Sequence, residues 1–412
     1  MNPSPAPERF NDKRDWFFDR RFGLFVHWGL YALPAWHEQI QWRQNVPRSN
    51  YVKLIDRFNP VNFDPEVWLD ILQSSGMEYI CLTTKHHDGF CLWNTEGTDF
   101  NVMNSPYKRD IVGMLAEACH RRSIPLCLYY SIVDWHHPNY PNEGRHHELP
   151  GPEPGDEPNW PNYMGFLKGQ IRELCTNYGE ISGISWDMNV PGYRDPSVNA
   201  MIRDLQPTAI INDRGFDEGD YGTPERHVPE GHGFEKRTEG WQSLGMHSWG
   251  YKEDEDYYTD KFMMQSLDRI LAMGGNYLVN VGPKADGTIG EEFTRSLARI
   301  GEWYSKVKES FHAKPAPGLT TNTNVLMTQL GRNVYVHLYR DPEGTGVIIS
   351  DFAALPSKAT LLNTGEALDV RLDRRGAALW CQTQYLRIRG LPVNELIDEV
   401  LVIKLEFDGE RV

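Results

Sequence analysis

The sequence predicts an α/β protein in two parts: a (β/α)8-like TIM barrel over residues 1–313, then a C-terminal antiparallel β-sandwich over residues 314–412. Three observations carry this prediction. Short runs of apolar, β-branched and aromatic residues alternate with longer amphipathic stretches through the first three hundred residues. Polar side chains collect where those short runs end. Beyond about Lys314 the helical spacing stops, and short alternating stretches separated by Gly, Pro and Asn take over.

Taken in order, the predicted barrel strands are Arg21–Gly29, Tyr79–Lys85, Pro125–Ser131, Ile181–Met188, Ala209–Asp213 and Asn276–Val281. Helices are predicted over Asp64–Ser74, Asp110–Arg121, Tyr163–Asn177 and Phe262–Met273, the first opening on an Asp-Pro pair suited to a helix entry. Strands alternating with helices imply a parallel sheet with helices outside it, and six or more such units favour closure into a barrel. The stretch Pro138–Asn162, rich in Pro, Gly, His and Glu, reads as a long loop, either a lid or a surface insertion. Asn333–Tyr339, Gly346–Ile349 and Leu401–Phe407 are predicted strands of the sandwich.

A net charge of -15 disfavours nucleic acid as a partner, because an acidic surface repels phosphate backbones. No run of 18 apolar residues occurs, so no membrane span is expected. The N-terminal stretch lacks an apolar secretory core. Cys81, Cys91, Cys119, Cys127, Cys175 and Cys381 are scattered with no CxxC pair, which fits free thiols and a cytoplasmic setting. The 13 Trp and 19 Tyr supply ring faces of the kind that pack against sugars, besides filling cores. A homo-oligomer is left open.

The polar strand ends are His27-Trp28-Gly29, Lys85-His86-His87-Asp88, Ser131 to Trp135, Trp186-Asp187 and Asn212-Asp213-Arg214. In barrel enzymes this face carries the chemistry. Asp187, next to Trp186 at a strand end, is a candidate nucleophile or base. Glycosidic cleavage requires a second carboxyl group as acid and then base, and Glu38, Glu225, Glu235 and Glu239 are candidates. Glu225 sits in the turn-rich DYGTPER stretch, which reads as a loop able to swing an acid over a bound sugar. His27, His86 and His87 are open to reading as metal ligands. Adjacent residues of a strand point to opposite faces, however, so His86 and His87 share the barrel mouth only if the chain bends. Hydrogen bonding to sugar hydroxyls suits imidazoles better, since a neutral ring both donates and accepts.

Several long stretches, in this order, resemble the α-L-fucosidases of glycoside hydrolase family 29. They are WFFDRRFGLFVHWGLYALPAW, YICLTTKHHDGFCLWNTEGTDFNV, KRDIVGMLAEACHRRSIPLCLYYSIVDW, IINDR, TPE, HSWGY and GGNYLVNVGPKADGTI. The resemblance implies a (β/α) barrel with a C-terminal β-sandwich, cleavage of terminal α-L-fucose with net retention, and neither metal nor cofactor. It implies a fucosylated oligosaccharide or glycoside as substrate. By the same resemblance Asp187 matches the nucleophile and Glu225 the acid/base, with Glu239 as the alternative. His27, His86, His87 and Tyr129 match residues around the fucose hydroxyls and ring oxygen, and Glu38 a glutamate near the sugar. Arg214 matches an arginine that orients the nucleophile, and Trp249 an aromatic near the fucose methyl group.

Two positions depart from the family pattern. Glu38-Gln39 stands where many members have Glu-Trp, so that one hydroxyl contact is either missing or supplied by Trp42, and Trp186 is displaced by one position toward Asp187. The competing readings are a non-catalytic, lectin-like sugar-binding barrel, separated by turnover of an aryl fucoside, and a metal-dependent barrel hydrolase, separated by chelation.

Overall fold

The computed structural model describes residues 7–188, 194–316, 325–350, 354–374 and 384–408. Cys381 lies outside them. Seven parallel strands curl around the first part of the chain: β1 (Phe22–Val26), β2 (Tyr79–Lys85), β3 (Leu126–Ser131), β4 (Gly183–Asp187), β5 (Ile210–Ile211), β6 (Glu239–Ser243) and β7 (Asn276–Val281). Their order is β5-β4-β3-β2-β1-β7-β6. The gap between the two ends is filled by Tyr221–Glu225, which forms parallel bridges to Asn212 beyond β5 and to Thr238 and Trp241 on the β6 side. Backbone hydrogen bonds run from Asp213 N to Tyr221 O, from Glu239 N to Gly222 O and from Trp241 N to Pro224 O, all 2.9 Å. An irregular eighth strand thus closes the barrel.

Local chemistry explains the helices around it. Asp64 accepts from the Glu66 amide to cap Pro65–Ser74, Asp110 from Gly113 to cap Ile111–Arg122, and Asn159 from Asn162 to cap Trp160–Thr176. Two further helices, Pro196–Leu205 and Glu291–Val307, are not among those read from the sequence. The barrel interior is filled by Phe25, Tyr79, Cys81, Cys127, Tyr129, Trp241 and Leu278, side chains from successive strands that meet on the axis.

The C-terminal strands form two antiparallel sheets. One has the order β12-β15-β10-β9-β8, from β8 (Lys314–Pro315), β9 (Leu326–Leu330), β10 (Asn333–Leu338), β12 (Lys358–Leu361) and β15 (Leu401–Glu406). The other is β11-β14-β13, from β11 (Gly346–Ser350), β13 (Asp369–Arg374) and β14 (Gln384–Arg389). Val334, Val336, Ile403 and Leu405 meet Ile349, Leu386 and Ile388 in the core between them. The alternate side chains of the larger sheet turn toward the barrel. Val400 and Val402 join the main core, His337 Nδ1 lies 2.8 Å from Asp268 Oδ1, and Trp303 donates from Nε1 to the Val400 carbonyl. That sheet is therefore buried on both faces.

Candidate active site

At the C-terminal ends of the barrel strands lies a pocket of about 510 Å3. Nine of the residues singled out from the sequence line it: His27, Glu38, His86, His87, Tyr129, Asp187, Arg214, Glu225 and Trp249.

Asp187 is the last residue of β4, where period-two alternation alone sorts its neighbours. Ser185 turns into the barrel, its Oγ 3.3 Å from the Tyr221 hydroxyl. Trp186 turns out to the helix layer, donates from Nε1 to Asn199 Oδ1 at 2.9 Å and packs edge-on against Tyr130 and Phe216. Trp186 therefore forms no wall of the pocket and does not desolvate Asp187 as its sequence position suggests. Its ring occupies the space where Gly215 would carry a Cβ, 2.2 Å from the nearest ring atom, so the chain just after Arg214 requires glycine.

The Asp187 carboxylate accepts from the Tyr129 hydroxyl at 2.7 Å and from the Arg214 guanidinium at 3.2 Å. Burial pushes its pKa up, but the charge of Arg214 and the Tyr129 hydrogen bond outweigh that and hold it below the usual carboxylate value. It is thus ionised at neutral pH, as a nucleophile must be.

The same Arg214 nitrogen lies 2.7 Å from Glu225 Oε2. The Asp187 and Glu225 oxygens that share this nitrogen are therefore at most about 6 Å apart. A retaining pair needs carboxyl groups about 5 to 5.5 Å apart, an inverting pair roughly 6.5 to 9.5 Å. Arg214 is itself fixed: Nε donates to Thr223 Oγ1 at 2.7 Å, the other terminal nitrogen to the Thr223 carbonyl at 2.8 Å, and the guanidinium lies 4.5 Å from the centroid of Trp241. Glu225 does not hang on a free loop as its turn-rich sequence suggests. It ends the irregular eighth strand, and only its side chain, 37 % exposed, reaches into the mouth.

His86 and His87 both line the pocket, with ring centroids 4.0 Å apart. The bend that strand alternation requires for this is present: β2 stops at Lys85 and the chain turns, closed by a hydrogen bond from Gly89 N to His86 O. His27 Nδ1 lies 2.7 Å from Asn280 Oδ1, and His87 Nδ1 lies 2.6 Å from Ser131 Oγ. His86 Nδ1 is buried without a protein partner. Burial drives His27 down to about 4, His86 to about 3 and His87 well below its ordinary value, so the three rings are neutral at physiological pH. The Nδ1–H of neutral His27 goes to the Asn280 amide oxygen and that of His87 to Ser131 Oγ, which itself donates to the Val133 carbonyl. Both rings therefore present Nε2 as an acceptor to a hydroxyl group, while His86, with no protein partner on Nδ1, can both donate and accept. Among the described residues no three His, Cys, Asp or Glu side chains converge as a metal-binding group.

Glu38 is buried, and its Oε2 accepts from Ser248 Oγ at 2.7 Å and Trp249 N at 2.9 Å. Burial raises its pKa, but the neighbouring His37 and His86 and the Ser248 hydrogen bond bring it to about 2. Through this bond Glu38 also seats Trp249, whose ring stacks on His27 at 5.1 Å.

Gln39 lines the pocket, its amide oxygen accepting from Arg43 Nε at 3.0 Å. Trp42, one of the two alternatives at this position, packs against His147 and is not part of the lining, which favours the other, a missing contact. The sequence reading missed Arg145, His146, His147 and Glu148, which come from the long loop after β3 and wall one side of the pocket. That loop is tied down by Arg48 to Asp156 at 2.6 Å, Tyr140 to Glu148 at 2.7 Å and Trp135 Nε1 to the His147 carbonyl at 2.8 Å. The signals in that stretch are its loop-like composition and the adjacent pairs His136-His137 and His146-His147.

Glu235 is exposed and lies outside the pocket. Glu239 also lies outside the pocket, buried in the barrel at the start of β6, where its carboxyl accepts from Tyr79 OH at 2.7 Å and Trp241 Nε1 at 2.8 Å. It is not placed to serve as the acid/base. Burial raises its pKa to about 7, against the pull of those two donors. Because the unfolded chain releases this proton at a lower pH than the folded one, the protonated form's contribution is complete below about 4.5 and is lost as pH rises through about 7. Glu239→Gln should therefore flatten the fall in stability over that window by on the order of 3 kcal/mol. Urea unfolding of both proteins at pH 5 and pH 8 measures it, and parallel pH slopes would contradict the assignment.

The family model described as alpha-L-fucosidase matches residues 2–309. The tissue alpha-L-fucosidase of Bos taurus is 28% identical over 413 residues, covering 92% of this chain and 86% of the relative. Alpha-L-fucosidase isoenzyme 1 from Paenibacillus thiaminolyticus superposes with a TM-score of 0.85 at 30% identity, over 97% of this chain and 99% of that one. A GH29 alpha-L-fucosidase from Bacteroides thetaiotaomicron, trapped as a covalent intermediate with 2-fluoro-fucosyl fluoride, gives a TM-score of 0.81 at 27% identity, with 98% of each chain covered. A closed barrel with paired carboxylates at its mouth, a C-terminal β-module and a family match across three quarters of the sequence lead to one conclusion: the chain belongs to the alpha-L-fucosidase family GH29 and is a glycoside hydrolase.

Proposed function

We propose that the protein removes terminal α-L-fucose from fucosylated glycans or glycosides by double displacement, with Asp187 as nucleophile and Glu225 as acid/base. The observation that supports this reading is Arg214, one nitrogen of which contacts both carboxylates, so that those two oxygens lie at most about 6 Å apart, short of the separation an inverting pair needs. In the first step an Asp187 oxygen bonds to the anomeric carbon while Glu225 gives its proton to the departing oxygen, and the glycosidic bond breaks. In the second, Glu225 takes a proton from water, the water oxygen bonds to the same carbon, and the bond to Asp187 breaks. Two inversions leave net retention.

The neutral His27, His86 and His87 and the ionised Glu38 are suited to hold the sugar hydroxyls, while Trp249 offers a ring face to the C5 methyl group. A cytoplasmic setting belongs to the same reading and is compatible with the five described cysteines, all buried and unpaired.

The test is a panel of aryl glycosides assayed with and without EDTA. The α-L-fucoside is expected to be the preferred substrate, with the rate in EDTA unchanged. Binding of fucose without turnover would favour the lectin-like reading. Loss of activity in EDTA, restored by a divalent ion, would favour a metal-dependent hydrolase.

A further inference from the structure

Glu239 plays no part in the two chemical steps above, yet it is a fully buried carboxyl group in the floor of the barrel. Its setting is specific. Gly23 on β1 carries no side chain, and a Cβ there would fall 2.6 Å from the Tyr79 ring, so the glycine makes room for that ring on the barrel axis. Tyr79 then donates its hydroxyl to Glu239 Oε1 at 2.7 Å. The other oxygen, Oε2, accepts from the Trp241 indole at 2.8 Å.

Trp241 is the link to the chemistry. Its ring lies under the Arg214 guanidinium at 4.5 Å and also lines the sugar pocket. Its backbone pairs with the residues on either side of Glu225: Trp241 N donates to Pro224 O at 2.9 Å, and Arg226 N donates to Trp241 O at 2.8 Å. One residue thus supports both the guanidinium that bridges the two carboxylates and the strand that carries the acid/base. The indole has a single N–H, and Glu239 is its acceptor, so Glu239 decides how the ring lies beneath Arg214.

We propose that Glu239 is a positioning residue for the reaction, acting through the Trp241 indole to hold Arg214, and with it Glu225 and Asp187, in register. The proposal rests on the catalytic roles assigned above. The two fail separately, because those roles are tested by Asp187 and Glu225 variants that leave Glu239 in place. A misplacement of about 1 Å in a catalytic constellation costs on the order of a hundredfold in rate, so an effect through two contacts is measurable.

The test is steady-state hydrolysis of an aryl α-L-fucoside by Glu239→Leu, Glu239→Gln, Trp241→Phe, Tyr79→Phe and the double variant Glu239→Leu/Trp241→Phe. Glu239→Leu removes the acceptor and should lower kcat about tenfold or more, with KM within about threefold. Trp241→Phe keeps an aromatic ring under Arg214 but loses the N–H, and should show the same split. The double variant should be no slower than the slower single, since both changes delete the same Trp241–Glu239 hydrogen bond. Glu239→Gln keeps an acceptor oxygen and should restore kcat to within about threefold of the parent.

If Glu239→Leu does not fold, Trp241→Phe against Tyr79→Phe decides alone. Tyr79→Phe removes the other bond to Glu239 and should leave kcat nearly unchanged. Additive effects in the double variant would overturn the proposal. So would a Tyr79→Phe loss as large as that of Trp241→Phe, or full kcat in both Glu239→Leu and Trp241→Phe.

Discussion

Replacing Asp187 with alanine is expected to lower kcat on an aryl α-L-fucoside by roughly a thousandfold or more, with a far smaller change in KM. The side chain is bound at the pocket floor by Tyr129, Arg214 and the amide of the adjacent Met188, contacts confined to the site, so its removal should not unfold the barrel. What is lost is the atom that bonds to the anomeric carbon, an interaction made only along the reaction path. In the parent enzyme a 2-deoxy-2-fluoro-fucosyl fluoride should label the peptide that contains Asp187. Label on any other carboxylate, or a first-formed sugar of inverted configuration, would refute the nucleophile assignment.

The Glu225→Ala variant should lose most activity on substrates whose leaving group needs a proton and retain much more on activated aryl fucosides. Added azide should raise turnover by attacking the covalent intermediate without needing a base, giving a fucosyl azide of retained configuration. Arg214 then loses its 2.7 Å carboxylate partner and keeps Asp187 together with its bonds to Thr223. Asp187 accordingly stays ionised, and the first step survives whenever the leaving group departs unaided. Azide rescue in Glu239→Ala rather than in Glu225→Ala would reverse the choice between these two residues.

Much of this architecture is legible in the sequence where burial dictates composition. β2 and β7 are buried along their whole length, so YICLTTK and NYLVNV read as continuous strands with matching bounds. β6 was invisible for the opposite reason. Its inward positions carry Glu239 and Trp241, a polar group and the ring it holds, so EGWQS shows neither an apolar run nor a clean alternation. The eighth strand hides in DYGTPER, where Gly and Pro signal a turn although tertiary pairing on both sides makes an irregular strand.

The pocket residues on strand ends could be named from the sequence because the barrel fixes where strand ends point. The wall from Arg145 to Glu148 could not. Its place depends on long-range ties such as Arg48 to Asp156, which no local pattern encodes. His86 and His87 mark the limit of strand periodicity, which describes side chains only while the strand lasts.

The larger sheet of the C-terminal module has a consequence for biosynthesis. β15, the last strand in sequence, lies between β12 and β10 in the interior of that sheet, and the same stretch sends Val400 and Val402 against the barrel helices. All barrel strands and helices are complete before residue 314. The apolar flank around Trp303 nevertheless stays uncovered until the ribosome has delivered another ninety or so residues. A nascent barrel is therefore a sticky intermediate by design of its topology. Premature termination anywhere before Leu401 should yield a chain that chaperones retain, even though every residue of the sugar pocket has already been made.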